Sequence, residues 1–493
     1  MTDFTLDDKD KRSLQNSIHS ELSSLLSPRA VIALPPSQEF ESVNLRFTEY
    51  GRPTYLLAVR PACEDDVVRT VNFTREKGIP FAPRSGHHCI TTSMRRLRNG
   101  IVIDMRPLKH MTFNAEQRLV TVGGGTIMDD FTRYVHGLGM EVTVGSCPTT
   151  GVIGVAFGAG LGRLQGKYGY LNDNLVSCKL LLGNGSIVTV SESSNSDLFW
   201  GLRGAGHNFG IALEATFRVY PQTNSGIHYS WDLEYRLEQC EEVFRVLNEV
   251  HTVMPPELAI FVVWKRESGG ESHLILVNLV YSGPERDSMP WVAHFSNLNP
   301  VRSTKVTATW DELPWITYGA QNKLLSKPEV WKLAPNKMMS AVSVKSFELV
   351  TTRAFFESVK EMNERFAGKG WFGAMFESLP HHRTRDIEDD ATAFPWRHGT
   401  NHHLMITATP KSTQDSEIFE AWLEKWKLAF IGISGYGRLQ QYVNYGNTTL
   451  KADPVQALYG YEPWRLQRLR ELKQRYDPDR LFSWYQPFDS MHS

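Results

Sequence analysis

Two segments of the chain combine nucleophilic and cationic side chains with closely spaced glycines. The first is Pro83-Arg-Ser-Gly-His-His-Cys89, which follows a short apolar run, Ile79–Ala82, that is predicted to be a strand. An arginine, a serine and a glycine backbone are suitable partners for a phosphate group. The two histidines leave three roles open: a general base, a metal ligand or a point of covalent attachment. A zinc site would need further ligands at metal spacing, which the adjacent residues of this segment do not provide.

The second segment is residues 145–169, in which eight of the residues are glycines. Glycine lets backbone N–H groups approach a ligand closely, so a loop of this kind can surround a pyrophosphate. A flexible linker is the alternative interpretation. Linkers are polar, however, and this segment interleaves Val152, Ile153, Phe157 and Leu161 with its glycines. We therefore predict a ligand-binding loop.

Neither segment matches the two common nucleotide-binding fingerprints. The G-x-G-x-x-G pattern of the Rossmann fold fails at Gly158-Ala-Gly160, because Arg163 stands where the third glycine is needed. Met128 breaks the pattern after Gly123-Gly-Gly125 in the same way. The sequence also lacks a G-x-x-x-x-G-K-[ST] pattern, which argues against a P-loop nucleotidase. A dinucleotide bound by another architecture stays open.

Composition excludes several classes of protein. The chain has 493 residues, 41% hydrophobic and 22% charged, which is typical of a globular protein of two or three domains. A formal net charge of −1 gives no electrostatic reason to expect a nucleic-acid partner. The five cysteines are scattered without a CxxC pair, which argues against a disulfide framework. The polar, acidic N-terminus and the absence of an apolar run of about 20 residues predict a soluble cytoplasmic protein without a membrane partner.

Secondary-structure patterns divide the chain near residue 222. Before it, apolar runs and helical spacing alternate as in β-α-β units, and Gly183-Asn-Gly185 between two apolar runs predicts a β-hairpin. After it, glycine becomes rarer and tryptophan more frequent, with strand-like runs at 259–264 and 273–281 and helical spacing at 238–250. We predict a second, α+β domain over residues 223–440.

Six motifs occur in a fixed order along the chain. They are PRSGHH (83–88), GSCPTTGV (145–152), DLFWGLRGAGHNFGIALEATFRVYP (197–221), TAFPWRHG (392–399), QYVNYGN (441–447) and YDPDRLF (476–482). Together they resemble the berberine-bridge-enzyme-like flavin oxidases of the vanillyl-alcohol-oxidase superfamily. The resemblance implies an α+β protein with a two-part FAD-binding domain of the PCMH type, residues 1–222 and 441–493. A substrate domain built on an antiparallel sheet covered by helices would occupy 223–440.

This resemblance implies an FAD cofactor held by two covalent bonds. The family's flavin-linking histidine falls on His88, which would bond the 8α-methyl group, and its G-x-C-P-x-x-G cysteine falls on Cys147, which would bond carbon 6. His87 stands where the family usually has glycine, so an exchange of roles between the two histidines stays open, and a buried free thiol is the alternative for Cys147. Further cofactor contacts are implied for Arg84, Ser85, Gly86, His87, Thr150, Gly151, Gly154, Gly210, Ile211 and Asn444.

The catalytic candidates follow from the motif Tyr442-Val-Asn-Tyr445, which in the family enters the active site beside the flavin. The second tyrosine is the proposed base in several relatives, so Tyr445 is the candidate here, with Tyr442 next to it; a buried aromatic cluster is the alternative. Many relatives carry a glutamine or glutamate where this chain has Met405. His403 would share the face of Met405 by two-residue periodicity and is a third catalytic candidate, unless it belongs to a surface histidine pair.

A second departure from the family is Leu161, which stands where many plant members carry a tyrosine. Loss of these two polar residues predicts an apolar pocket. The resemblance thus implies an FAD-dependent oxidase that removes hydride from a C–H bond of a small, fairly apolar natural product, with O2 as acceptor and oxidative cyclisation as an open outcome. A carbohydrate or lactone oxidase, and a flavin-holding cyclase or binding protein without redox turnover, are the alternatives. No metal site is predicted, and the sequence leaves the oligomeric state open.

Overall fold

The computed structural model describes residues 8–267, 272–399, 402–446 and 453–489, so Asn447 of the QYVNYGN motif lies outside the described residues. Its helices are α1 (Asp8–Leu25), α2 (Gln38–Asn44), α3 (Glu64–Lys77), α4 (Met128–Gly137), α5 (Val152–Phe157), α6 (Gln165–Tyr168), α7 (Ser196–Ala205), α8 (Cys240–Val253), α9 (Glu285–Ser296), α10 (Leu313–Leu325), α11 (Pro328–Leu333), α12 (Leu349–Arg365), α13 (His382–Arg385), α14 (Ser416–Ile433), α15 (Gln456–Tyr459) and α16 (Pro463–Tyr476).

Its strands are β1 (Val31–Ala33), β2 (Tyr55–Arg60), β3 (Phe81–Arg84), β4 (Gly100–Asp104), β5 (Met111–Asn114), β6 (Leu119–Gly123), β7 (Met140–Glu141), β8 (Leu175–Leu181), β9 (Ile187–Ser191), β10 (Ile211–Arg218), β11 (Tyr220–Pro221), β12 (Ile227–Arg236), β13 (Leu258–Arg266), β14 (His273–Tyr281), β15 (Arg302–Thr309), β16 (Met338–Val344), β17 (Gly370–Ser378) and β18 (His402–Pro410). In the described part of the chain, no helix combines the length and the apolar composition needed to cross a membrane.

The first sheet has the strand order β1-β2-β4-β3, and its last three strands are parallel. Parallel strands are buried on both faces, which explains the continuous apolar runs of β2 and β4. Helix α3 is the crossover between β2 and β3; it begins with three acidic residues and ends at Gly78 in the left-handed conformation. The chain then leaves β3 at Arg84 and enters the PRSGHH loop.

The second sheet is antiparallel, with the order β5-β6-β10-β8-β9. The predicted hairpin at Gly183-Asn-Gly185 joins β8 to β9, and Gly185 takes a positive φ of 85° that suits glycine. Within the glycine-rich segment, α5 buries Val152, Ile153 and Phe157 in the adjoining core. These apolar residues are interleaved with the glycines because one side of the segment packs and the other side is open.

The third sheet has seven antiparallel strands in the order β15-β12-β14-β13-β17-β18-β16, and both of its faces are buried in the middle. One face packs against α8, α12 and α14 through residues such as Val262, Phe376 and Leu404. The alternate residues, among them Phe261 and Val263, belong to the core that also contains the second sheet. The sheet therefore stands between a helical layer and the N-terminal half of the chain.

The end of the chain returns to the N-terminal half. Helix α16 buries Leu466, Leu469 and Leu472 in the core that contains the second sheet. Further on, the Ser93 hydroxyl donates to the Trp484 carbonyl at 2.8 Å. Residues separated by nearly the whole sequence thus form one packed unit.

A buried ion pair ties the TAFPWRHG motif to the same unit. The Arg397 guanidinium, which is fully buried, donates to both carboxylate oxygens of Asp173, at 2.5 and 3.0 Å. It also donates to the Thr392 hydroxyl at 2.9 Å. Because all of these groups lie away from water, removing one partner leaves an uncompensated buried charge.

We expect the Arg397→Met substitution to destabilise the protein by about 3–5 kcal/mol, because it leaves the Asp173 carboxylate buried without its partner. The measurement is the urea midpoint of unfolding of the purified protein. The control is Arg475→Met, which breaks the ion pair with Asp197 at an arginine whose side chain is 68% exposed. An exposed pair contributes about 1 kcal/mol or less, so equal losses in the two variants would contradict the role of burial.

Candidate functional site

A cavity of about 900 Å³ lies between the two N-terminal sheets and the seven-stranded sheet. This volume is near the upper end of the roughly 300–1,000 Å³ typical of small-molecule sites. Its walls come from the loop after β3, the glycine-rich segment, the start of β10, the seven-stranded sheet and the Tyr442–Tyr445 motif. The two sequence segments that were predicted to bind a ligand therefore face the same space.

The loop after β3 and the glycine-rich segment touch through their backbones. A Cβ atom on Gly86 would lie 2.4 Å from the Thr149 carbonyl oxygen and 2.5 Å from the Gly151 nitrogen. A Cβ atom on Gly151 would lie 1.9 Å from the Ser85 hydroxyl oxygen. Backbone atoms leave no room for a side chain at Gly86, whereas at Gly151 the Ser85 side chain would have to move, and this contact brings His88 and Cys147 together.

His88, Thr149 and Cys147 form one cluster on the cavity wall. The His88 Nε2 atom lies 2.6 Å from the Thr149 hydroxyl, and the Cys147 sulfur lies 3.9 Å from His88 Nδ1 and 3.7 Å from the same hydroxyl. Burial alone raises the pKa of the Cys147 thiol, but the charge and hydrogen bond of His88 and the contacts with Thr149 more than offset it and lower the pKa to about 7. The thiolate, which is the nucleophilic form, is thus accessible near neutral pH.

An aromatic layer fixes the His88 ring. Phe47 stacks on the imidazole with ring centroids 4.8 Å apart, and Trp331 meets it edge-on at 5.2 Å. The Lys337 ammonium lies 4.6 Å from the Phe47 ring centroid and donates to the Phe47 carbonyl at 2.8 Å. Burial lowers the pKa of Lys337 to about 8. The imidazole is therefore held between a ring and a hydroxyl, with its edge towards Cys147.

His87 points away from this cluster. Its positive φ of 63° turns the ring towards the Leu45 carbonyl, with which Nδ1 forms a hydrogen bond. Burial and the charge of Arg84 lower the pKa of His87 well below its ordinary value. Arg84 is itself buried and bonded to the Val43 carbonyl. Of the two histidines, the structure brings His88 to Cys147.

The remaining predicted cofactor residues line the cavity and suit a large polar ligand. Gly154 is exposed to it, and a Cβ built there would meet no atom within 4 Å. Among the described residues, buried polar atoms without a hydrogen-bond partner occur at Arg84 Nε, Arg46 Nε and Asn444 Oδ1. Such atoms normally find a partner, so this wall fits the FAD that the family resemblance implies. The predicted residues on the wall are Arg84, Ser85, Gly86, His87, Thr150, Gly151, Gly154, Gly210, Ile211 and Asn444.

The Tyr442–Tyr445 motif closes the cavity opposite these loops. The Asn444 amide donates to the Val155 carbonyl at 3.0 Å and to the Tyr442 hydroxyl at 2.6 Å, and that hydroxyl also accepts from the Gly160 backbone. Tyr442 is therefore tied to the glycine-rich segment. Tyr445 instead donates to a carboxylate, Glu377 Oε1, at 2.9 Å.

Glu377 is a candidate that the sequence reasoning missed. It is 2% exposed in β17, and burial raises its pKa to about 7, although the hydrogen bond from Tyr445 and the charge of Arg163 act in the opposite direction. Burial and Glu377 together raise the pKa of Tyr445 well above its ordinary value. A charged residue in an otherwise apolar strand, WFGAMFES, was the signal that could have found it.

His403 lies one strand beyond Glu377 and does not line the cavity. The two residues are register partners of β17 and β18, and His403 Nδ1 lies 3.1 Å from the Ser343 hydroxyl. Its side chain is 2% exposed, so it is not part of a surface pair, and burial lowers its pKa to about 4. The neutral imidazole stands behind Tyr442, with ring centroids 6.1 Å apart.

The floor of the cavity is apolar. On the face of the seven-stranded sheet that carries Glu377, the next row of register partners is Val263, Met375 and Met405, and Leu161 reaches the same space. Among the described residues, the lining contains no aspartate or glutamate; its charged members are Arg46, Arg84, Lys265, Arg266 and Lys337. Carboxylates stand behind two of the lining side chains: Glu377 accepts from Tyr445, and Glu234 accepts from Lys265 at 2.5 Å.

The sequence matches known protein families at both ends of the chain. Residues 55–191 match the family model described as an FAD binding domain, and residues 441–487 match the one described as berberine and berberine like. The FAD-linked oxidoreductase alt4 of Alternaria solani is 59% identical to this chain over 480 residues, which cover 96% of this chain and 97% of that protein.

The fold is similar to solved structures that have low sequence identity. BBE-like 1 of Physcomitrella patens matches with a TM-score of 0.81 at 20% identity, covering 97% of this chain and 100% of that one. Berberine bridge enzyme of Eschscholzia californica matches with a TM-score of 0.80 at 17% identity, covering 97% and 99%. These matches confirm the predicted α+β fold of the PCMH type.

We expect Gly158→Ala to reduce the amount of flavin bound by the purified protein, because the new Cβ would lie 2.2 Å from Asn444 Oδ1 and displace that side chain from the cavity wall. The measurement is the ratio of visible flavin absorbance to protein absorbance. The control is Gly137→Ala, where a Cβ would meet nothing within 4 Å. Normal flavin content in Gly158→Ala would contradict the role of this contact.

Proposed function

The chain belongs to the berberine-bridge-enzyme-like family of FAD-linked oxidoreductases, and on this premise we propose that it oxidises a small, fairly apolar natural product with bicovalently held flavin and dioxygen as final acceptor. Family membership makes it an FAD-dependent oxidoreductase that acts on small molecules, as the sequence predicted. The observation that carries the proposal is the position of His88 and Cys147 on the wall of the same cavity that Tyr445 closes.

Two side chains of this protein would hold the cofactor covalently. His88 is fixed by Thr149 and Phe47, and Cys147 is a thiol with a pKa of about 7, so both are suitable nucleophiles. Each bond would form with loss of two hydrogens, one from the side chain and one from the cofactor, and O2 would take up the pair as H2O2. Bound FAD supplies the acceptor for the two electrons removed from substrate, which no amino-acid side chain can provide.

We assign cofactor binding to residues 1–222 and 441–493 and substrate binding to residues 223–440. The packing of α16 on the second sheet supports the first assignment. The apolar sheet face at Val263, Met375 and Met405 supports the second. The two regions would enclose the reacting atoms between them.

Tyr445 and Glu377 act together as the base. Because the pKa of Tyr445 is raised well above its ordinary value, the phenol enters the reaction protonated. Its oxygen accepts the proton of a substrate hydroxyl while its own proton passes along the 2.9 Å hydrogen bond to Glu377. Tyr445 is therefore protonated again after the transfer, and the net result is that the Glu377 carboxylate gains one proton. Tyr442 and Asn444 hold the motif against the glycine-rich segment.

The cavity floor favours an apolar substrate over a carbohydrate. A sugar needs many hydrogen-bonding partners, and an unpaired hydroxyl facing Val263, Met375, Met405 or Leu161 would lose its water without replacement. A phenol or a related aromatic alcohol would place its ring against this floor and its hydroxyl at Tyr445. Oxidative ring closure of such a substrate is a compatible outcome.

The experiment is anaerobic mixing of the yellow holoenzyme with a panel of aromatic alcohols, phenols and oligosaccharides. Bleaching by the aromatic compounds, followed by recovery of the colour with O2, is the expected result. Bleaching by oligosaccharides alone would favour the carbohydrate-oxidase alternative. Tight binding of the aromatic compounds without bleaching would favour a cyclase or binding protein.

We expect the His88→Ala and Cys147→Ala variants each to retain covalent flavin through the remaining bond, and the double variant to release it. The measurement is intact mass after denaturation, which reads the mass of FAD on the polypeptide. The matched control is His87→Ala combined with Cys147→Ala, which should keep FAD through His88, because the His87 ring faces Leu45. Release of FAD from this control, or free FAD from the wild type, would overturn the assignment.

We expect Tyr445→Phe and Glu377→Gln each to slow flavin reduction by about 10²–10⁴-fold, since each removes one site of the proton transfer. In the wild type, the rate of reduction should fall as the pH drops below about 7, where Glu377 becomes protonated and no longer accepts a proton. The control is Tyr459→Phe, a buried tyrosine whose hydroxyl donates to the Gln486 carbonyl. A wild-type rate in Glu377→Gln would remove Glu377 from the mechanism.

A further inference from the structure

Arg163 is a buried arginine that belongs to the glycine-rich segment. Its side chain is 7% exposed, and its Nη2 atom donates to the Thr317 hydroxyl at 3.1 Å and to the Tyr318 hydroxyl. The guanidinium lies over the rings of Phe261 and Tyr318, with distances of 5.1 and 5.4 Å to the centroids. Its Nε atom has no hydrogen-bond partner among the described residues. All of these contacts are with neutral groups.

A buried cation needs a counter-charge, and hydroxyls and rings offset only part of its desolvation. In the described part of the chain, Arg163 forms no direct ion pair with a carboxylate. Glu377, on strand β17 next to Phe261 of β13, also has few direct partners. Glu377 receives one hydrogen bond, from Tyr445, and its second oxygen has none.

Strand register places these two charges side by side. Phe261 of β13 and Glu377 of β17 are directly opposite each other, so their side chains leave the same face of the sheet with Cβ atoms about 4.5–5.5 Å apart. Arg163 lies over the Phe261 ring on this face. The guanidinium is therefore above the residue next to Glu377, on the side from which Tyr445 approaches.

Among the residues that the structure describes, the other titratable groups near Glu377 do not supply a positive charge. Tyr445 and Tyr442 are phenols of raised pKa, and Tyr318 is a third. His403, across the other strand boundary, has a pKa of about 4 and is neutral. Asp232 lies in the same row of side chains, two strands beyond Phe261, and adds negative charge near Tyr318. The Cys147 thiolate adds negative charge near Tyr445. Arg163 is the cation of this group.

We propose that Arg163 is a positioning residue whose guanidinium, held over Phe261, keeps the Glu377 carboxylate anionic and thereby able to take the proton of Tyr445. The electrostatic coupling of the two residues stands by itself, and its use in proton transfer rests on the proposed function. After transfer, Glu377 is neutral and Arg163 keeps its charge and its hydroxyl contacts. No proton leaves the guanidinium.

The test follows protonation of Glu377 in the holoenzyme without any substrate. The carbonyl stretch of a protonated carboxylic acid is recorded by infrared spectroscopy against pH, and the Glu377→Gln holoenzyme supplies the reference spectrum. The expected wild-type midpoint is near pH 7. In Arg163→Gln the midpoint should rise by about one to three pH units, since a nearby positive charge shifts a carboxyl by that amount. Arg163→Lys should restore a midpoint close to that of the wild type.

The matched control is Arg203→Gln. Arg203 also lies over a phenylalanine ring, that of Phe199, at 4.2 Å, and it donates to the Ala391 carbonyl. The carboxylate whose charge acts on Arg203 most strongly is that of Asp173. Its loss should leave the Glu377 midpoint in place. An unchanged midpoint in Arg163→Gln, or an equal shift in Arg203→Gln, would overturn the proposal.

A double variant covers the case in which Arg163→Gln does not fold. At pH 8 the single variant leaves a buried carboxyl that must either stay charged without its partner or take up a proton, whereas Arg163→Gln combined with Glu377→Gln leaves neither charge. Coupled residues give a double variant that is more stable than the sum of the single losses. Recovery of folding or of the urea midpoint in the double variant supports the proposal, and additive losses contradict it. Because none of these measurements uses turnover, they remain decisive even if the oxidase activity is not found.

Discussion

The site depends on the close approach of two loops at Gly86. A Cβ atom at Gly86 would overlap the backbone of Thr149 and Gly151, so the loop after β3 lies against the loop that begins α5 only because this position has no side chain, and Gly151 leaves room for the Ser85 hydroxyl. The approach sets the distance between the His88 imidazole and the Cys147 sulfur, and the shared Thr149 hydroxyl orients both. The electrostatic consequence is a thiol with a lowered pKa beside an imidazole, although burial acts against ionisation there. The reactivity of His88 and Cys147 at this wall thus depends on the absence of a side chain where the two loops meet.

The opposite wall depends on strand register. A single row across the seven-stranded sheet contains Asp232, Asn278, Phe261, Glu377 and His403, and the next row contains the methionines of the cavity floor. Because side chains alternate between faces, a shift of one residue in β17 would place Glu377 among the helices and Phe376 beneath Tyr445. Burial of both faces of the sheet makes such a shift costly, so packing far from the cavity secures the partner of Tyr445.

The sequence was sufficient to identify the site residues that belong to unusual local patterns. Closely spaced glycines, paired histidines and the tyrosine motif located one wall of the cavity and its closure, and the hairpin at Gly183–Gly185 formed as predicted. Sequence reasoning missed Glu377 because the expected acidic residue was sought on β18, at Met405, whereas the structure supplies a carboxylate from the adjacent strand. Which residues of two strands stand side by side is a matter of register, which periodicity alone does not fix. Helix α1 shows a similar limit: Leu14 and Leu25 have the same helical spacing as Ile18 and Leu22 but are more than a third exposed, whereas Ile18 and Leu22 are buried.

The segments at 441–446 and 482–485 also decide when the cavity becomes a closed chamber. Tyr442, Tyr445 and Trp484 form part of the enclosure, and all of them follow the strands of the three large sheets in the sequence. Until these segments have docked, the methionine floor lacks this part of its cover. A prosthetic group permanently attached inside the chamber would therefore serve as a chemical record that they had reached their place.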